Sequence, residues 1–239
     1  INNSLRAECF LVIFAKTTSM KIQLAISFIC FLSFSYAQKL SVESIWKSGE
    51  FYPKGIEGFS ALSDGQSFTK IVEEGGKILL KKYQFKDYKG AGTELVNLSA
   101  IQFNGKPLEF DDVKLSKSGK WLLIQTGTQS IYRHSYSTTY YVYNVQSKET
   151  HQVHPGETPQ TLGTFSPDET KLGYVAGNNL FVYDLMNHST KQLTSDGKQN
   201  SIINGTTDWV YEEEFAITQG FEWSPDSKYL LSCALTKPT

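Results

Sequence analysis

Charge imbalance, paired cysteine and metal-ligand spacing are all scarce in this chain, and each scarcity removes a class of function. With 24 acidic and 23 basic side chains the formal net charge is −1, so no basic field is available to hold nucleic acid or an anionic membrane surface. Of the three cysteines, Cys9 and Cys30 fall in the segment read below as leader and signal, which leaves Cys233 with no internal disulfide partner. The four histidines, His134, His151, His154 and His188, are scattered. His151 and His154 stand in a polar stretch before Pro155-Gly156 and read as solvated loop residues, so neither a metal nor a cofactor is expected. Only seven prolines and a 40% hydrophobic share leave material for a core and no signature of disorder.

An initiator is also missing from the first position, which is Ile1. The first methionine is Met20, followed by Lys21 and an apolar run from Ile22 to Phe34, then Ser35-Tyr36-Ala37. A positive start, an apolar stretch too short to span a bilayer and a small-residue cleavage site are the three parts of a secretory signal. Residues 20–37 therefore read as a signal peptide and 1–19 as a translated upstream leader, with export to a periplasmic or cell-surface location as the consequence.

From residue 40 onward helical periodicity is weak, and short runs rich in Val, Ile, Leu, Tyr and Phe recur between turn signals. Trp121 to Ile124, Tyr140 to Tyr143 and Leu180 to Tyr183 read as strands. One phrase repeats, in which Leu or an aromatic, a Ser and a turn precede an apolar strand: Leu62-Ser63-Asp64-Gly65, Leu115-Ser116-Lys117-Ser118-Gly119, Phe165-Ser166-Pro167-Asp168 and Trp223-Ser224-Pro225-Asp226. Ser63, Ser116, Ser166 and Ser224 are separated by 53, 50 and 58 residues, a propeller-blade period. One unit continues as Lys171 to Ala176, an Asn178-Asn179 hairpin, Leu180 to Leu185 and Lys191 to Thr194, the meander of a single blade. The expected fold is all-β, a partial β-propeller of about four blades with open strand edges.

Most of the chemistry is concentrated in Asp208-Trp209-Val210-Tyr211-Glu212-Glu213-Glu214-Phe215, a run of three carboxylates framed by aromatics. Like charges repel, so such a run beside an apolar patch calls for a cation. Asp208 reads as the N-cap of a short helix whose first turn holds the acids in a favourable dipole position.

Residues from about 40 to 231 resemble the N-terminal β-propeller of the dipeptidyl peptidase IV family, serine exopeptidases that remove dipeptides from peptide amino termini. The resemblance is carried by Thr207 to Phe215 followed by Trp223-Ser224-Pro225-Asp226, and by Arg133-His134-Ser135-Tyr136 followed by Tyr140 to Tyr143. It implies that Glu213 and Glu214 grip the substrate's α-ammonium, that Arg133 contacts a substrate carbonyl and orders the acidic pair, and that Tyr136, Trp209 and Tyr211 pack around the site. It also implies a peptide with a free N-terminus as partner, an eight-bladed parent propeller and frequent dimerisation of full-length members.

The family's chemistry resides in an α/β-hydrolase domain with a Gly-x-Ser-x-Gly elbow, and that pentapeptide does not occur here. No catalytic residue is assigned in this chain, which is expected to be inert alone. Residues 38–231 are taken as the propeller portion. The terminal Ser232 to Thr239 is taken as a frameshifted tail, because a one-base slip of its codons can read Phe-Leu-Arg-Phe-Asp-Glu-Thr-Asn, which contains the family's Arg-Phe-Asp-Glu phrase. The competing function is a stand-alone propeller that binds proteins or peptides without catalysis.

Overall fold

A computed structural model describes residues 40–52 and 59–236. The signal and leader segments, and the last three residues of the tail, lie outside the described residues. The chain divides into two compact units, 1–54 and 55–239. In the first, a π-helical turn Glu43–Lys47 is tied at its start by Ser41 and Ser44, whose side chains each accept the other's backbone N–H at 3.0 Å.

The second unit is a series of antiparallel meanders. The first comprises β1 (Ser60–Ala61), β2 (Ser67–Glu74), β3 (Lys77–Gln84) and β4 (Thr93–Asn97), hydrogen-bonded in that order. A small hairpin, β5 (Gln102–Phe103) with β6 (Lys106–Pro107), leads to the second, β7 (Asp112–Leu115), β8 (Trp121–Ser130), β9 (Tyr136–Asn144) and β10 (Thr150–Gln152). The third is β11 (Gln160–Phe165), β12 (Lys171–Ala176), β13 (Asn179–Asp184) and β14 (Ser189–Gln192). The fourth starts with β15 (Ile202–Asn204), makes an excursion through helix α1 (Trp209–Phe215), and returns as β16 (Phe221–Trp223), β17 (Leu230–Ser232) and β18 (Ala234–Thr236), with β16 paired to β17 and β15 to β18. Second and third meanders touch edge to edge through the single pair Gln160↔Thr138. The architecture is an all-β partial propeller, and no closed ring or α/β-hydrolase domain exists among the described residues.

Turn chemistry explains the hairpins. Gly75-Gly76, Asn104-Gly105 and Gly177-Asn178 each place both residues at positive φ, the geometry whose twist matches the flanking strands. The third turn thus sits one residue before the expected Asn-Asn pair: Asn179 already belongs to β13, opposite Ala176.

The repeated phrase is the turn that joins β1 to β2, β7 to β8, β11 to β12 and β16 to β17. Ser116, Ser166 and Ser224 each donate the backbone N–H to the carbonyl of the residue five positions on (Trp121, Lys171, Tyr229) and accept that residue's N–H on the hydroxyl. In the first meander this position is held by Leu62, whose N–H bonds the Ser67 carbonyl at 2.9 Å. The expected equivalence of Ser63 is therefore corrected by one residue, because hydrogen-bond position rather than residue identity defines the turn.

Apolar side chains alternate between two inter-blade interfaces. Trp121, Leu123, Tyr140 and Val142 pack with Leu172, Tyr174 and Tyr183, whereas Leu122, Ile124 and Tyr143 turn the other way onto Leu80, Val96 and Leu98. Successive strand residues point to opposite faces, so a strand lying between two neighbouring blades reads as an unbroken apolar run. Blades three and four meet more sparsely, through Val175, Leu180 and Phe221. At that contact Gly173 lies so close to Phe221 that an added Cβ would stand 3.1 Å from its ring.

Two histidine expectations are overturned. His154 is buried at 9% exposure with Nδ1 2.9 Å from the Tyr174 hydroxyl. His151 lies on β10 with its ring stacked at 3.6 Å on His188. Both are interface residues, because β10 is the last strand of its blade and meets the β13–β14 turn of the next.

Candidate functional site

Helix α1 is two turns long, below the length at which an isolated helix is stable in water, so its ends and its contacts hold it. The Asp208 side chain accepts the Tyr211 N–H as N-cap, and Ala216 closes the other end in the left-handed region at φ 54. The flanking chain segments are clamped together by the Thr206↔Gln219 bridge and by the Thr207 hydroxyl donating to the Ile217 carbonyl at 2.6 Å. The helix is thus an excursion closed at its base.

Successive residues of a helix project about 100° apart, which separates the three glutamates. Glu212 is buried at 3% exposure and accepts the backbone N–H groups of His134 at 2.6 Å and Ser135 at 2.9 Å. Burial alone would raise its carboxyl pKa, but the donors from Ser135 and His134 outweigh it and hold the group below the ordinary carboxylate value. Glu213 is half-buried and meets Arg133, Nε to Oε2 at 3.5 Å. Glu214 is exposed, and among the described residues no cation lies within ion-pairing distance of it. Charge repulsion within the run is thus relieved by giving each carboxylate a different environment.

Arg133 stands at the tip of the β8–β9 hairpin, where Ile131 N–H bonds the Ser135 carbonyl at 2.9 Å. Its side chain is 72% exposed, so as a structural ion pair it is worth at most about 1 kcal/mol. The structure thus brings Arg133 of the second blade to Glu213 of the fourth. Trp209 and Tyr211, expected to pack around the site, are instead 50% and 41% exposed. Val210 and Phe215 of the same helix are likewise exposed. A cleft of about 660 Å³ opens beside the first turn of α1, bounded by Tyr132, Ser135, Gln160, Asn178 and Asp208. Arg133, Glu213 and Glu214 do not line it.

Among the described residues no group of three or more His, Cys, Asp or Glu side chains has metal-binding geometry. Cys233 is free and exposed. No helix among them is long and apolar enough to cross a membrane.

Residue 212 escaped sequence reasoning. Its only signal was that the resemblance assigned roles to the second and third glutamates and left the first unexplained.

Comparison with known proteins gives one family. Residues 116–235 match the family model described as the dipeptidyl peptidase IV (DPP IV) N-terminal region. The chain is similar to prolyl endopeptidase FAP of Mus musculus, 34% identical over 126 residues, covering 52% of this chain and 17% of that protein. It is likewise similar to dipeptidyl peptidase 4 of Felis catus, 32% identical over 58% of this chain and 18% of that one. Among solved structures it superposes on the crystal structure of Porphyromonas gingivalis dipeptidyl peptidase 4 with TM-score 0.71 and 30% identity, covering 81% of this chain and 27% of that chain. The chain therefore spans less than a third of the length of these relatives.

Proposed function

Because the chain belongs to the dipeptidyl peptidase IV family, we propose that it is the amine-reading propeller portion of an exported serine peptidase that removes X-Pro or X-Ala dipeptides from peptide N-termini. The observation that carries this reading is the approach of Arg133 to Glu213 at 3.5 Å from different blades, beside the exposed carboxylate of Glu214. An α-ammonium has three donors and no acceptor, so adjacent carboxylates suit it and exclude a blocked terminus. One ammonium–carboxylate pair at about 4 Å and an effective dielectric near 20 gives roughly 4 kcal/mol before desolvation is subtracted. In this reading the guanidinium fork of Arg133 orients Glu213 and donates to a substrate carbonyl.

In this reading the propeller measures the substrate from its amino end, and hydrolysis falls to an α/β-hydrolase domain, since the sequence holds no Gly-x-Ser-x-Gly elbow. The test uses the full-length gene product and an X-Pro chromogenic substrate. Glu213→Ala and Glu214→Ala should each lower kcat/KM by at least about a hundredfold, or roughly 2.7 kcal/mol, with an unchanged melting temperature. N-acetylation of the substrate should cause the same loss. Full activity in either variant, or equal turnover of blocked and free substrates, would sink the assignment and favour a non-catalytic binding propeller.

A further inference from the structure

The amine-binding reading uses Arg133, Glu213 and Glu214 and leaves Glu212 without a task. Yet Glu212 is the most buried of the three glutamates, and its carboxylate is the group through which α1 grips another blade. Its Oε1 accepts from two successive backbone N–H groups, His134 and Ser135, 78 and 77 residues away. Successive N–H groups that converge on one point form a concave anion site, and here a carboxylate of the same chain fills it.

The location of that site matters. The β8–β9 ladder ends at Ser130↔Tyr136, so residues 131–135 project beyond the last rung as a small tip, closed by the Ile131–Ser135 bond and by the Ser130 hydroxyl donating to Tyr132 O at 2.9 Å. These bonds shape the tip but do not fix its angle to α1. Arg133 stands on it with only Glu213 as an ion-pair partner among the described residues. The Glu212 contacts begin at the residue immediately after Arg133, so they set where the guanidinium lies.

We propose that Glu212 is a positioning residue for the amine-binding site: it locks the hairpin tip to α1, and so holds Arg133 against Glu213 while Glu214 stays open to substrate. The proposal rests on the amine-binding reading. Both donors end on the same oxygen, Oε1, and a carboxylate accepts them with charge assistance, which makes each bond stronger than a neutral one. A glutamine meets them only with a neutral carbonyl oxygen and weakens both, and an aspartate is one methylene too short to span the same gap.

In the full-length protein, Glu212→Gln should raise KM for a free-amine X-Pro substrate about tenfold and change kcat less than twofold, with substrate dissociation faster than turnover. The decisive readout is coupling. In an Arg133→Ala background, Glu212→Gln should change KM less than twofold, because the arginine it positions is gone; a merely structural role would persist in that background. In the wild type, amide exchange at His134 and Ser135 should be at least about a hundredfold slower than at Arg133, a measurement that stands even if the variant does not fold. Unchanged KM in Glu212→Gln, full additivity with Arg133→Ala, or fast exchange at both amides overturns the proposal. If Arg133→Ala and Glu213→Ala also leave KM unchanged, the amine-binding reading fails with it. If they raise KM and Glu212→Gln does not, only the positioning role fails.

Discussion

Glu169 and Ser227 occupy the left-handed position of the recurring inter-strand turn, at φ 55 and 60, where the first two blades have Gly65 and Gly119 at φ 63 and 78. A side chain there is held against about 1–2 kcal/mol of backbone strain, so it needs a compensating contact, and both residues have one. The Glu169 carboxylate accepts from the Ser116 hydroxyl at 2.8 Å, the Ser118 N–H at 2.6 Å and the Ser118 hydroxyl, all on the preceding blade's turn. Ser227 Oγ accepts the Asp168 N–H at 2.9 Å one blade further on. Consecutive blades are therefore fastened turn to turn by the residue that a local reading would make glycine. Glu169→Ala keeps the strain and loses the bonds; Glu169→Gly loses both. Alanine should therefore be the worse substitution by about 1 kcal/mol, with the wild type more stable than either, as measured by urea denaturation. Equal stabilities for the two variants would remove the strain from this account. The phrase was visible in the sequence as Ser-Pro-Asp, but this use was not, because the partner lies about fifty residues away and no local pattern encodes it.

At the scale of the element, α1 was legible in outline. An Asp at the head of an acid-rich octet marks an N-cap, and Asp208 takes that position with its side chain on the Tyr211 N–H. The strands at Trp121, Tyr140 and Leu180 were legible too, since five successive buried residues from Trp121 to Gln125 can only be a strand covered on both sides or a buried helix, and the flanking turns decide between them. What stayed hidden was direction: which glutamate faces inward depends on where the β8–β9 tip lies, a tertiary fact. Because α1 is too short to persist alone, its cap should matter more than its propensity. Asp208→Ala is expected to destabilise the chain by about 1 kcal/mol and Asp208→Asn by only a few tenths, asparagine being an equal cap. Chemical denaturation of the two variants measures the difference, and parity between them would mean that the charge or another contact of Asp208, rather than the cap, holds the helix.

Over the whole molecule, the blade period follows from one turn reused four times, while the contacts that join the blades come from residues with no shared motif. His151 and His188 illustrate this, for they are 37 positions apart and stack only because β10 and the β13–β14 turn meet at a blade boundary, where the Thr190 hydroxyl also donates to the Val153 carbonyl at 2.8 Å. The groups facing this boundary set its pH response. Burial, then the neighbouring His188, pushes the His151 pKa below its ordinary value, with Glu149 opposing, and burial does the same to His154 beside Tyr174. A histidine depressed on folding binds fewer protons folded than unfolded, so its contribution is complete above the unfolded pKa of about 6.5 and is lost as pH falls from there through the folded value. Stability should therefore decline on acidification below about pH 6.5, before the carboxylates titrate. His151→Phe keeps a ring against His188 and removes one titrating group, so the slope of unfolding free energy against pH should become shallower there, by up to about 1.4 kcal/mol per pH unit. Urea midpoints from pH 8 to about pH 5 test this. An unchanged slope would show that His151 takes up its proton equally in the folded and unfolded states, and so does not carry the pH response of this boundary.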